Sequence, residues 1–408
     1  MTIYPTATIE VAFGDLPTSS SRTWVDITAY TRGFSTRRGR NTELDRIEAG
    51  EASVLLSNLD QRFDPNNTAG PYYGDLLPMT PIRILATVLE DVYSDEYEDT
   101  YLTSVTYPIF SGLVQAWPQE YPDNADAVAP LRCVDLFRSL NLNKISASYS
   151  SELTGTRVAN VLTTAGWPTG ADFRDIDTGQ STIQAATLTA TPSLGHLQDV
   201  ATSESGLFFV SRDGKATFID RHSILLTPLD TALTWSDTDG YPYIDIGFLD
   251  ADVLLWNDVT ITADSLASQN ATDSTSVGRF FTRDLGVSTL LSSVDVMYDL
   301  AYYLLTRYKD PGTRVSRLVV TGMNDETAWP AILDREIGDK VRVERTPPGS
   351  GDGIVQDSVI EAIEFRATAS PRSWTVTWSL SPMDAAGDYW ILDDAIQSLL
   401  DSSTRLAF

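Results

Sequence analysis

From Thr8 to Val134 the chain keeps returning to one pattern, and that pattern dictates strands. Short runs of alternating apolar and polar residues are separated by clusters of Asn, Gly and Pro. Thr8-Ile-Glu-Val-Ala-Phe13 alternates with a period of two, and Ala52–Ser57, Pro81–Val88, Tyr107–Trp117 and Ala127–Val134 carry related runs. A period of two sends every second side chain to the same sheet face, as half-buried strands require. Asp60–Asn67 reads as a turn, with Pro65 biasing Asp64 away from helical geometry and asparagines that tolerate tight bends. Several strands at this spacing predict a small barrel or sandwich over residues 1–145, followed by a short helix over Asp135–Leu140. Between Leu89 and Thr106 the acidic stretch Glu90–Asp99 reads as a solvated loop; its carboxylates permit calcium, but no EF-hand spacing supports it.

The texture changes to mixed α and β over 146–222. Gly155–Ala165 is predicted helical, with Val158, Val161, Leu162 and Ala165 on one face and Gly166 and Pro168 as its stop. A second helix is predicted over Ser193–Glu204. After it comes a hairpin, Leu207–Ser211 and Lys215–Asp220 around Asp213-Gly214, a strong local hairpin signal. Residues 223–383 return to strands, including Tyr243–Phe248, Asp258–Thr262, Val315–Val320, Lys340–Val343, Val359–Phe365 and Trp374–Leu380. Into them is inserted a helix over 292–308, with Val294, Met297, Tyr298, Ala301, Leu304, Leu305 and Tyr308 as its apolar stripe. Residues 384–408 form an apolar segment that needs a surface to dock on, within the chain or on a neighbour; Trp390 and Leu392 are candidate interface residues. The expected fold class is mainly β with α+β insertions. It comprises two small β-barrel-like domains, a mixed α/β module and a C-terminal docking tail.

At 408 residues with 42% hydrophobic content, the chain has enough material for two to four cored domains. A formal charge of −27 repels nucleic acid phosphates and anionic membranes, yet suits a wall along which DNA slides without sticking. The four lysines are far outnumbered by arginines, which codon bias explains most simply and bidentate pairing at interfaces explains second. A lone Cys133 in a strand pattern excludes an internal disulfide and reads as inert and buried. The opening residues lack a signal-peptide pattern, and no apolar run is long enough to span a bilayer.

Catalytic chemistry finds little to work with. The two histidines, His196 and His222, have no GxSxG elbow to serve, and zinc has neither HExxH nor a cysteine cluster. Gly349–Gly353 lacks a following helix and reads as an inter-strand loop, and Trp235–Gly240 lacks the first and last ligands of a calcium loop. Acidic pairs suited to glycoside hydrolysis exist in any chain with 56 acids. Trp117, Trp374 and Trp378 sit in strand patterns, where core or interface packing is the usual role. No cofactor or metal is expected. The basic patch Arg32, Arg37, Arg38, Arg40 has two readings of equal weight. It pairs either with nearby Glu43, Asp45, Glu48 and Glu51, or with carboxylates of a neighbouring subunit, for which Arg37, Arg38 and Arg40 are the candidates.

Two stretches carry a resemblance. One holds Trp24–Thr28, Arg37-Arg-Gly-Arg40, Glu48–Asn58 and Arg62–Asn66; the other holds Ile337–Val343, Pro347–Gly351 and Trp374–Pro382. Together they resemble the central hub (minor tail) proteins at the tail tips of long-tailed bacteriophages. The resemblance implies a structural virion component rather than an enzyme, made in the host cytoplasm. It implies two barrel-like domains per chain, three chains presenting six of them in a ring, and a match between a six-fold tube and a three-fold tip. It also implies partners: a homotrimer, the distal tail protein ring, the tape-measure protein, tail fibre or receptor-binding proteins, and DNA that passes through unbound. Two other readings stay open: a tail-associated cell-wall hydrolase, although only a short stretch follows Pro382, and a carbohydrate-binding adhesin.

Overall fold

The structure is a computed structural model that describes residues 4–17, 19, 21–94, 99–230, 233–249, 252–312, 314–322, 327–349, 353–369 and 372–383, with backbone alone at 91–94 and 99–102. The first region is built from β1 (Thr6–Val11), β2 (Val25–Asp26), β3 (Thr31–Gly39), β4 (Glu48–Ser57), β5 (Thr80–Ser94), β6 (Asp99–Ala116), β7 (Glu120–Asp123) and β8 (Asp126–Val134). These pair in the order β3-β4-β8-β6-β5-β1-β2, with β7 attached to β8. Alternation does what it predicts: Ile9 and Val11 on β1, Val54 and Leu56 on β4, and Leu131 and Cys133 on β8 are all buried. The Asn58 turn is held from inside. Asn58 is buried, its side-chain carbonyl accepts the Phe63 N–H at 2.9 Å, and Phe63 stacks on Trp117 with ring centroids 6.2 Å apart.

The acidic stretch differs from expectation. Strand pairing continues through it, from Leu89 opposite Ser104 out to Ser94 opposite Asp99. Val92, Tyr93, Thr100 and Tyr101 are strong strand formers, and their backbone preference prevails over the charge that suggested a loop. Of the acids behind the calcium expectation, Glu90 accepts the Tyr107 hydroxyl at 2.5 Å, and the other side chains lie outside the described residues.

The middle region runs α1 (Phe137–Leu142), β9 (Lys144–Tyr149), β10 (Glu152–Leu153), α2 (Thr154–Thr164), β11 (Arg174–Ile176), β12 (Thr182–Ile183), β13 (Ala186–Pro192), α3 (Ser193–Glu204), β14 (Leu207–Val210), β15 (Ala216–Ile219) and α4 (Arg221–Leu226). The apolar faces of α2 and α3 meet the β14–β15 hairpin in a core of their own, where Phe137 stacks on Phe208 at 5.3 Å. At the C-terminus of α3, Ser205 takes a left-handed conformation (φ 56°) and the Gly206 N–H closes on the Ala201 carbonyl at 3.0 Å.

The last region contains β16 (Thr234–Ser236), β17 (Tyr243–Leu249), β18 (Asp258–Ala263), β19 (Gln269–Thr272), α5 (Ser274–Phe280), β20 (Asp284–Thr289), α6 (Val294–Tyr308), β21 (Arg314–Val320), α7 (Ala328–Leu333), β22 (Lys340–Arg345), β23 (Ile354–Ala369) and β24 (Arg372–Pro382). Strands β18, β19 and β20 leave the main sheet and form a three-stranded sheet under α6, with a separate apolar core. The strand expected over Asp258–Thr262 therefore belongs to this small unit and not to the second strand set. On α6, Leu300 is buried where the expected stripe had Tyr298, which is 45% exposed and packs against Tyr302 at 4.5 Å. A spacing of three or four residues leaves both positions open, and packing against β18 and β19 selects Leu300.

Strand β23 joins the first and last regions. Its N-terminal half pairs with β22, from Ile354 opposite Arg345 to Val359 opposite Lys340. Its C-terminal half pairs antiparallel with β3, from Ala362 opposite Gly39 to Thr368 opposite Gly33. One sheet consequently runs β17-β21-β24-β23-β3-β4-β8-β6-β5-β1-β2. A single buried cluster follows it, bridged by Phe34 against Trp374 (5.5 Å, edge-on) and by Trp235 against Trp378 (5.0 Å). Gln356 bridges the other side of this region: its side-chain carbonyl accepts the Val315 N–H at 2.8 Å and its amide donates to the Val315 carbonyl at 2.9 Å.

Candidate assembly interface

The arginines singled out from sequence lie on or beside β3 and have different fates. Arg32 forks onto Asp126, with one bond at 2.7 Å. Arg37 is exposed; it donates to the Asn41 side-chain carbonyl at 2.5 Å and lies between Glu51 and Glu364 in the strand register. Arg38 points inward, only 4% exposed, and meets Glu336 at 2.8 Å and the Val210 carbonyl at 3.3 Å. Arg40 turns back onto the buried Glu361 at 2.6 Å and donates to the Asp45 carbonyl at 3.2 Å. Side-chain pairing with the nearby acids does not describe this patch, and neither does a wholly outward-facing cluster. Arg38 and Arg40 spend their donors inside the chain, so of the three interface candidates here only Arg37 faces solvent. Trp390 and Leu392 lie outside the described residues.

Gly39 makes this inward turn possible. It takes φ +104°, and a Cβ there would stand 2.1 Å from the Glu361 carbonyl oxygen, so only glycine lets β3 lie this close to β23. The flanking Arg38 and Arg40 then reach opposite neighbours.

Glu336 and Glu361, which receive Arg38 and Arg40, carried no signal in the sequence, and Glu43, a candidate partner of the patch, serves two distant arginines instead. Glu336 collects Arg38, the Arg212 N–H at 2.9 Å and the Ile337 N–H at 2.8 Å, tying the first, middle and last regions together through one side chain. Glu43, on the β3–β4 loop, meets Arg307 at 2.8 Å and Arg314 at 3.4 Å. Burial opposes its ionisation, but the two guanidiniums prevail and hold the carboxyl below its usual range. Lys340 is buried and donates to the Leu225 carbonyl at 3.2 Å and also to the Thr227 carbonyl, fastening the C-terminal end of α4 to β22. Burial lowers its pKa to about 8. Between Glu43, Arg40, α3, α6 and Glu361 lies a cavity of about 180 Å³ at the meeting point of the regions. Asp135, wholly buried, accepts the Gly50 N–H at 2.6 Å and the Phe137 N–H at 2.9 Å, and burial pushes its pKa up to about 7.

His196 and Cys133 are occupied structurally. His196 is buried, stacks on Tyr149 at 6.3 Å and lies 3.3 Å from the Arg157 guanidinium. Burial first, and Arg157 second, lower its pKa to about 4. Arg157 is itself saturated by Glu152 at 2.5 Å and the Ser150 and Gln184 carbonyls at 2.7 and 2.9 Å. Cys133 is buried and its thiol pushed up to about 12, so no reactive thiolate forms there. At Trp235–Gly240 the Asp237 carboxylate pairs with Arg345 at 3.0 Å and accepts the Thr346 N–H, which makes that stretch a strand-linking turn. Among the described residues no group of three or more His, Cys, Asp or Glu side chains is placed to hold a metal ion. No described helix is long and apolar enough to cross a membrane.

No family model and no curated protein sequence matches this chain. Solved structures do. A tail protein from Neisseria meningitidis superposes with a TM-score of 0.57 at 12% identity, over 92% of this chain and 96% of that one. The 43 kDa tail protein of prophage MuSo2 from Shewanella oneidensis gives 0.56 at 12% identity, over 92% and 98%. The mainly β fold with α+β insertions is thus a fold of phage tail proteins along nearly its whole length.

Proposed function

We propose that the chain is a structural virion protein, the hub of a phage tail tip. Three copies form a ring that joins the distal tail ring and tube to the tip and lines the DNA channel. The observation that carries this reading is the β3–β23 ladder, which joins two strand-built regions in one continuous sheet, a single plate. Three such plates supply six strand units around an axis, the arrangement a three-fold tip needs beneath a six-fold tube. The match in fold to two tail proteins over 92% of this chain supports the same assignment. The charge of −27 per copy gives a channel wall that repels phosphate and lets DNA pass. In this reading Arg37 contacts carboxylates of the adjacent copy, and residues 384–408, with Trp390 and Leu392, dock on a neighbour. The tape-measure protein and the fibre or receptor-binding proteins are the further partners.

Native mass measurement of the purified chain, with negative-stain imaging, tests the assignment. A three-chain mass and annular particles with three-fold symmetry are expected. A monomer at every concentration, absent from purified tails, refutes it.

A further inference from the structure

Phe281 is held out into solvent by a part of the molecule built to keep it there. It follows α5, is 85% exposed, and has φ 62° and ψ 170°, a backbone state that glycine enters freely and side-chain-bearing residues avoid. The chain fixes this conformation through Asn257, which is completely buried. The Asn257 amide donates to the Phe281 carbonyl at 2.9 Å and to the Ser276 hydroxyl at 3.2 Å, while its side-chain carbonyl accepts the Arg283 N–H at 2.8 Å. Ser276 in turn donates to the Lys309 carbonyl at 2.6 Å, anchoring the loop to the end of α6. Two bonds of this clamp hold the backbone at Phe281 and Arg283, two tie it through Ser276 to the end of α6, and the ring itself stays in water. An exposed aromatic held rigidly pays little ordering entropy when a partner covers it.

The surroundings indicate which partner. Arg279 is exposed, lies over the Phe280 ring 5.4 Å from its centroid, and forms no ion pair among the described residues. Arg283 grips Asp252, and Val253 beside it is 51% exposed. Asp252 neutralises Arg283 and Asp284 is exposed beside it, so the tip presents an aromatic ring and one guanidinium without an ion pair among the described residues, Arg279, on a chain whose net charge is −27. We propose that Phe281 is an anchor that inserts into an apolar socket on a second copy of this chain, with Arg279 facing that copy's acidic surface. The inference rests on the reading that copies assemble, and it specifies one contact by which they do so.

The test uses the purified full chain with p-benzoylphenylalanine in place of Phe281, irradiated and analysed by mass, alongside Phe281→Gly and Arg279→Glu. A cross-linked product of two chain masses is expected. Phe281→Gly is expected to melt no lower than the parent chain, because glycine relaxes the backbone, yet to assemble at least tenfold more weakly. Arg279→Glu is expected to weaken assembly and reduce its salt dependence. Three-chain rings that form without cross-links, or that are unaffected by Phe281→Gly, overturn the anchor and leave the hub assignment standing. Cross-links in whole tails that go only to a different protein overturn the choice of a second copy. A chain that stays monomeric and never enters tails removes both.

Discussion

The molecule is joined internally in two different ways. Where β3 meets β23, the bond is a backbone ladder from Gly33 opposite Thr368 to Gly39 opposite Ala362, backed by buried aromatics. Where the middle region meets the rest, Ile47 and Ile337 enter its apolar core, and charged side chains add to them: Arg38 and Arg212 on Glu336 and its neighbours, Lys340 on the end of α4, and Arg46 on Asp199 at 2.7 Å. A ladder is indifferent to pH and salt and fails only when strands separate. Charged contacts weaken as their partners titrate or are screened. The two strand-built regions are expected to unfold as one body, with the charged share of the middle region's attachment the part that responds to solution conditions.

The strongest way to break this contrast is Gly39→Val. A side chain there meets the Glu361 carbonyl and forces a residue into φ +104°. A loss of about 4 kcal/mol is expected from strain plus overpacking, read as a lower urea midpoint. The first and last regions should unfold together in that variant; separate transitions would show that the ladder does not couple them. Next comes Arg38→Met, which leaves Glu336 without its guanidinium. A loss of about 3 kcal/mol is expected, less than for a fully buried pair because Glu336 retains some solvent. Proteolysis should then release the middle region before the sheet. The smallest effect sharpens the comparison through pH. The His196 pKa is lowered to about 4 from 6.5. The unfolded chain therefore binds the proton more tightly than the fold does. The stability that neutral His196 contributes is fully present above pH 6.5 and is lost as pH falls towards 4. His196→Gln should flatten the dependence of melting temperature on pH across that window, and an unchanged slope would clear His196 of any part in it.

Local chemistry was legible in the sequence, and long-range chemistry was not. The helix over Ser193–Glu204 and the hairpin at Asp213-Gly214 occur where the residues indicated, because capping, turn geometry and periodicity act over a few positions. Trp117, Trp374 and Trp378 are buried, as their strand patterns implied. The arginine patch was visible, but its partners were not: Arg40 and Glu361 are 321 positions apart, and no spacing rule reaches across that interval. Gly39 offered a signal in hindsight, since a glycine between two arginines in a strand marks a close backbone approach. The long β5–β6 hairpin was obscured because clustered acids outweighed valine and tyrosine in the reading. The position of β18–β20 was hidden because a half-buried strand looks the same in any sheet.

Strand β23 gives the plate a mechanical property. Sixteen residues long, it is stitched along one half of its length to β22 and along the other half to β3. A pull applied at one end of the molecule runs along this single spine, loading many rungs in shear at once, and no loop stands in the load path between the two strand-built ends. A force that would part the first and last strand regions along this spine therefore has to break the β3–β23 rungs together rather than one after another.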